Sequence, residues 1–270
     1  MNRTMIAALA AASIFGLAAC SQQAPAPPAG DPINGTWKAD IASVQIDQKP
    51  DVYLLKDGQY SCPSCTPPIA VAADGAFHAV PGAAYFDSYS VKAVDDKTIS
   101  RSSRKGDKVV GESTLQVSAD GNTLNGSFKD MSTPNAPPVT GKYTETRVAA
   151  APAGAHAASG SWKPAKIENV SDEGLTLSFK HDGDSFSMNS PAGQSYTAKL
   201  DGKDVPITGD SAGTTASVER LSDTSYRETD KRAGKVVGVA TFTVAADGKL
   251  NVVAEDKERG STTRYTAIKQ

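Results

Sequence analysis

Histidine and cysteine are scarce in this chain, with three of each in 270 residues. His78, His156 and His181 form neither H-x-x-x-H nor H-E-x-x-H. Catalytic zinc takes three protein ligands. Cys62, Cys65 and His78 offer three candidates but no fourth group beside them, so no metal site is expected. His156 reads as an exposed linker residue and His181 as an exposed neighbour of a turn. No glycine loop fit to cradle a phosphate occurs, so no cofactor is expected. Charge of one sign is also lacking, with 28 Lys and Arg against 30 Asp and Glu. The densest basic spot, Arg101 to Lys108, holds its own Gly106 and Asp107 and reads as a solvated turn. A nucleic-acid footprint would need a broad basic face, so no nucleic-acid partner is expected. Aromatics make up 6% of the chain, which leaves a core of Val, Leu and small residues.

Catalytic constellations are absent as well. Gly209-Asp210-Ser211-Ala212-Gly213 fits G-x-S-x-G, but a nucleophile elbow needs a helix after the serine. Here Thr214-Thr215-Ala216-Ser217-Val218 follows, which is strand-like. The protein is not expected to be an enzyme.

The one long uncharged run is Met5 to Cys20, preceded by Arg3. It is shorter than the roughly 20 residues of a spanning helix and fits the apolar core of a signal peptide. It ends Leu17-Ala18-Ala19-Cys20, which resembles the lipobox of bacterial lipoprotein precursors at every position. The resemblance implies a signal peptide over 1–19, cleavage before Cys20, lipidation of Cys20 and membrane attachment through that lipid. Ser21, where an aspartate would favour inner-membrane retention, implies an outer-membrane anchor facing the periplasm. In that oxidising compartment Cys62 and Cys65 form an even pair, and disulfides persist there. Their C-x-x-C is followed by Thr66-Pro67-Pro68, which leaves no room for a helix that would activate Cys62 as a nucleophile. A disulfide stapling a loop between strands is the first expectation; a redox dithiol or half of a metal site are the alternatives.

About 250 residues follow the cleavage point, and they contain a duplication. Gly35-Thr36-Trp37-Lys38 returns as Gly160-Ser161-Trp162-Lys163, and Lys108-Val109-Val110-Gly111 as Lys235-Val236-Val237-Gly238. Asp57-Gly58, Asp74-Gly75 and Asp120-Gly121 return as Asp182-Gly183, Asp201-Gly202 and Asp247-Gly248. The expected organisation is a lipidated Pro/Ala-rich tether over 20–34, repeat 1 over 35–147, an Ala/Pro/Gly linker over 148–159, and repeat 2 over 160–270. Asp-Gly pairs between alternating residues mark hairpins. Leu175, Leu177 and Phe179 share one face, as do Tyr196, Ala198 and Leu200. No stretch of two turns with helical spacing follows Cys20. The fold class is therefore all-β: two tandem antiparallel meander barrels, or sandwiches.

The Gly-x-Trp that heads both copies resembles the opening of the first strand in lipocalin-like barrels. That resemblance implies that Trp37 and Trp162 close the barrel bases and pack near a basic residue of the last strand. Arg147 and Arg264 lie near the two C-terminal strands, although they do not align with each other. The pattern also resembles uncharacterised envelope lipoproteins with such repeats. Three functions stay open, in this order: a binding module for a small apolar ligand, a structural or interaction protein with filled barrels and an unknown protein partner, and a periplasmic thiol-disulfide protein using Cys62 and Cys65.

Overall fold

The computed structural model describes residues 30–270; the expected signal peptide, Cys20 and the expected tether up to residue 29 lie outside the described residues. The described chain builds two nearly closed antiparallel β-barrels in tandem. In the first, barrel N, the strand order is Ile69–Ala72, Gln59–Cys62, Asp51–Lys56, Gly160–Val170, Val139–Ala149, Thr123–Asp130, Lys108–Val117, Thr98–Lys105, Ser88–Ala93 and His78–Ala79. In the second, barrel C, it is Ser195–Lys199, Ser185–Asn189, Thr176–Asp182, Gly35–Ala39, Ser261–Lys269, Leu250–Asp256, Lys235–Val244, Ser225–Arg232, Thr215–Ser222 and Val205–Pro206.

The two tryptophan strands are exchanged. Gly35–Ala39 leaves its own repeat and enters barrel C, where Trp37 faces Leu177 on one side and Lys269 on the other. Gly160–Val170 enters barrel N, with Trp162 opposite Asp51 and Arg147. Barrel N is thus the continuous stretch 51–170, and barrel C joins 35–47 to 176–269. The expected cuts at 35–147 and 160–270 describe the repeat in the sequence, but the barrels divide the chain one strand later. Periodicity identifies the strand and its face. It does not say which of two equivalent docking sites takes the strand, the condition under which identical elements swap.

The stretch 148–159 is correspondingly part of barrel N. His156 N–H donates to Leu55 O (2.8 Å), Leu55 N–H donates to Ser159 Oγ (2.8 Å), and Ala158 and Ser159 are fully buried. His156 Nε2 lies 2.7 Å from Asp95 O, so this residue is bonded into the cap and is not a free linker side chain. A segment of Ala, Pro and Gly has no apolar face to announce packing, yet its small side chains let its backbone approach Trp162. Residues 31–34, expected in the tether, do the same for barrel C: Ile33 is fully buried and its carbonyl accepts the Trp37 indole N–H at 2.7 Å. Trp162 donates to Ala158 O at 3.0 Å, again four residues back.

Both indoles are buried under a cation. The Arg147 guanidinium lies 3.9 Å from the Trp162 ring centre and the Lys269 ammonium 5.3 Å from that of Trp37. The basic partner in barrel C is therefore Lys269; Arg264 is exposed. Each motif glycine makes room for its cation. Gly160 has φ +118°, and a Cβ there would meet Ala149 O at 2.6 Å and Arg147 Nη1 at 2.7 Å; Gly35 has φ +130° and would meet Lys269 Cε at 2.7 Å. A two-residue turn appears at Asp57-Gly58 as expected, whereas in repeat 2 the turn falls one residue later, at Gly183-Asp184, with Asp182 paired to Ser185 at the strand end. Asp74-Gly75 instead sits at the seam of barrel N, where Gly75 N–H donates to Val91 O (2.9 Å), so there the pair closes a barrel and not a hairpin.

Gly160→Ala is expected to destabilise the protein by about 1–3 kcal/mol, because both the backbone conformation and a fixed carbonyl oppose it. Gly35→Ala should cost less, since the flexible end of Lys269 can yield. Urea unfolding midpoints check this; equal midpoints for Gly160→Ala and the parent would contradict it.

Candidate functional site

Alternation in a strand sends every second residue inward, and in barrel N several of those residues are polar. Ile99 and Arg101 on Thr98–Lys105, Tyr143 and Glu145 on Val139–Ala149, and Asp51 and Tyr53 on Asp51–Lys56 all turn inside. All of these but Ile99 border a cavity of about 780 Å³, within the range of small-molecule sites. Its apolar side is built by Ile69, Phe86, Phe128, Ile167 and Val170. The segment that crosses between barrels supplies Val44, Ile46 and Gln48, and barrel C supplies Arg259, so the exchange also builds the cavity's rim.

The charges inside are unevenly matched. Asp51 pairs with Arg259 (2.8 Å) and accepts from Gln48 Nε2 (2.9 Å). Arg101 donates through Nε to Ser113 Oγ (3.0 Å), lies 5.4 Å from the Tyr53 ring centre, and has no ion-pair partner among the described residues. Glu145 is 3% exposed and its Oε2 has no hydrogen-bond partner; the buried Tyr60 hydroxyl lacks one too. An orphaned buried carboxylate is costly, so it takes a proton more readily. Burial, then the neighbouring Asp51 carboxylate, push the Glu145 carboxyl up to about 7, against the pull of Arg101 and Arg259. Burial likewise raises the Tyr60 hydroxyl to about 12, so Tyr60 remains a neutral donor.

Cys62 and Cys65 are joined by a disulfide, S–S 2.05 Å, in the loop between Gln59–Cys62 and Ile69–Ala72. Cys62 is fully buried, while Cys65 and Thr66 reach the cavity rim. The staple fixes one edge of the opening, and Ser64 Oγ ties the loop to the Val52 N–H (2.8 Å). An attacking thiolate needs access to solvent, which Cys62 lacks.

Barrel C has the same frame and a different interior. Glu228 stands where barrel N has Arg101, Ala267 where it has Glu145, Phe186 where it has Tyr60 and Phe179 where it has Tyr53. Rings occupy its axis, with Phe179–Phe242 and Phe186–Tyr226 centres each 4.8 Å apart. Glu228 accepts the Tyr196 hydroxyl; burial and then the Asp230 carboxylate push Glu228 upward, while burial and the more distant Asp210 push Asp230 upward against its hydrogen bond with Glu228. At the edge of this barrel Asp31 Oδ2 accepts from Tyr226 OH (2.5 Å) and lies 2.8 Å from His181 Nδ1, while His181 Nε2 lies 3.0 Å from Gly183 O. His181 is therefore nearly buried and part of an anchor for the incoming Trp37 strand, not an exposed turn neighbour. Gly209–Gly213 is a turn whose Asp210 carboxylate accepts from Ala212 and Thr214 N–H groups, and among the described residues no histidine hydrogen-bonds to Ser211.

The residues that carry this site, Arg101 and Glu145, escaped the sequence reading. Arg101 belongs by sequence to the basic stretch of the turn at Gly106 and Asp107, but it lies five residues before that turn on the inward face beside Ile99. The available signal was the inward alternation of Ile99 and Arg101 set against Glu228 in repeat 2. Trp37 and Trp162 are buried in barrels C and N, Cys62 and Cys65 lie at disulfide distance, and no described residue bears on Cys20. Compared with protein-family models and with curated proteins, the chain matches none.

The raised carboxyl makes stability fall with pH. Between the ordinary glutamate value of 4.5 and about 7 the folded state holds a proton that the unfolded chain has released. Stability therefore declines as pH rises through that window and levels off above it. Glu145→Gln removes the decline, so its stability relative to the parent should improve by on the order of 2 kcal/mol between about pH 5 and about pH 8. Urea unfolding at the two pH values measures this; a constant difference would contradict the placement of Glu145.

Proposed function

We propose that this protein is a lipid-anchored binding module of the cell envelope in which barrel N holds one small ligand and barrel C acts as its filled partner. The observation that carries the reading is the cavity of about 780 Å³ in barrel N, bordered by apolar side chains, by the orphaned Glu145 carboxyl and by Arg101, which has no ion-pair partner among the described residues. Native interiors rarely leave a buried carboxyl oxygen unmatched, so an orphaned acid beside an unpaired guanidinium in an apolar cavity suits a partner from outside. Lipidation at Cys20 and an outer-membrane, periplasm-facing position rest on the lipobox, and the bonded Cys62–Cys65 pair is compatible with an oxidising compartment. The lipocalin-like reading is supported by the Trp–cation closure at both barrel bases.

The ligand expected from the sequence was apolar; Arg101 and Glu145 favour a molecule with a polar end as well. The structural alternative finds support in the packed aromatic axis of barrel C, which fits a scaffold that presents surface and holds Arg259 over its neighbour. The thiol-disulfide alternative has the least support, because Cys62 is buried.

Native mass spectrometry of a lipid-free form starting after Cys20 is the direct test. One small molecule per chain is expected to accompany the parent protein, and Ile167→Trp, which fills the cavity from the strand facing Tyr143, should lose it. Bare masses for both proteins from several preparations would contradict the carrier function.

A further inference from the structure

The polar end of the cavity has a definite chemistry. Arg101 stays charged at any physiological pH and presents a planar fork suited to a two-oxygen anion. It donates through Nε to Ser113 and lies beside the Tyr60 and Tyr143 hydroxyls, and no carboxylate of the described residues pairs with it. The two other acidic or basic groups of known partnership, Asp51 and Arg259, neutralise each other. Opposite lies Glu145, 97% buried by its 3% exposure, with an oxygen that nothing contacts. A protonated Glu145 leaves Arg101 as the uncompensated buried charge of the chamber, with Lys166 a second unpaired cation on its exposed rim. It also leaves an O–H donor near that charge.

We propose that the ligand of barrel N is an apolar monocarboxylate whose anionic group docks on the Arg101 guanidinium, facing the Glu145 carboxyl, with its apolar body against Phe86, Phe128 and Ile167. This inference rests on the reading of barrel N as a ligand chamber. Neutral ligands leave the Arg101 charge unmatched, and cationic ones meet it directly. An anion gains a charge-assisted bond in a setting that excludes water. Glu145 then sets a condition. Ionised, it repels the incoming carboxylate; protonated, it donates a hydrogen bond to it. The groups facing Glu145 are Asp51 and Tyr53 from Asp51–Lys56, Arg101 from Thr98–Lys105, Tyr143 on its own strand and Arg259 from barrel C. Of these, only Asp51 is an acid, and Arg259 holds it, so one proton on Glu145 accompanies one bound carboxylate.

Three probes with one apolar body separate the possibilities: decanoate, decan-1-ol and decylammonium, titrated calorimetrically into the lipid-free full mature chain. Decanoate is expected to bind roughly ten- to a hundred-fold more tightly than decanol, the worth of one charge-assisted bond, and decylammonium least. Arg101→Met should abolish the preference for decanoate while leaving decanol binding in place. Between about pH 6 and about pH 8 decanoate affinity should fall about tenfold in the parent, and it should hold constant in Glu145→Gln. Equal binding of decanoate and decanol, with Arg101→Met unchanged, would overturn the carboxylate proposal and leave the chamber standing. Tighter binding of decylammonium would overturn it in favour of a cationic ligand. Failure of all three probes to bind the parent, or binding that survives Ile167→Trp undiminished, would overturn the chamber itself. Circular dichroism of each variant separates lost binding from lost folding.

Discussion

A guanidinium laid over an indole holds the base of barrel N together. Arg147 covers Trp162 and donates to Gly121 O (2.6 Å), Ser159 O (2.7 Å) and Ala157 O (2.7 Å). One side chain therefore ties a turn, the capping segment and the incoming strand to the last strand before it. A desolvated cation–aromatic contact of this kind contributes about 2 kcal/mol, and here it also satisfies carbonyls that would otherwise be buried without partners. Lys269 over Trp37 repeats the arrangement in barrel C, with a single ammonium donating to Pro32 O. The two sockets share their geometry, each an indole bonded to a carbonyl four residues back and covered by a cation.

That equivalence has a consequence for the rest of the molecule. Exchange of the tryptophan strands sends the segment around Val44–Gln48 across from barrel C to barrel N, and there it forms part of the rim of the large cavity. Arg259 reaches the same rim and fixes Asp51. A single repeat would have the barrel wall but neither of these pieces. Duplication thus supplied more than a second barrel. One copy could fill its axis with Phe179, Phe186, Phe242 and Tyr226, while the other kept polar side chains inside a chamber that its sister helps to close.

Much of the fold was legible in the sequence, because strands, turns and duplication are local or periodic features. The Asp-Gly turns, the alternation of Leu177 with Phe179 and the doubled Gly-x-Trp all express backbone preferences that act over a few residues. Long-range choices were not legible. Trp37 has the same neighbours available in either barrel, and nothing in its own strand distinguishes Leu177 from a partner in repeat 1. The cap at 148–159 was hidden because small residues pack through their backbone, which leaves no apolar pattern. Sequence favours Arg264 over Lys269, although counting four residues on from Tyr143 and from Tyr265 makes Lys269 the equivalent of Arg147. The site was the least legible part. An arginine within a basic stretch looks solvated until the phase of its strand is known, and a lone glutamate between threonines gives no sign of facing inward.

The exchange is the claim on which the cavity, its rim and the division between the two interiors all rest, and engineered cysteines test it most directly. Thr36 and Ser178 are directly paired across barrel C, with their hydroxyl oxygens 2.8 Å apart. In an unexchanged chain Thr36 would instead face Val52, as Ser161 does here. Peptide mapping after mild oxidation should find the 36–178 disulfide within one chain of Thr36→Cys/Ser178→Cys, and free thiols at both positions of Thr36→Cys/Val52→Cys. A 36–52 disulfide, with 36 and 178 left reduced, would contradict the exchange and the chamber built on it.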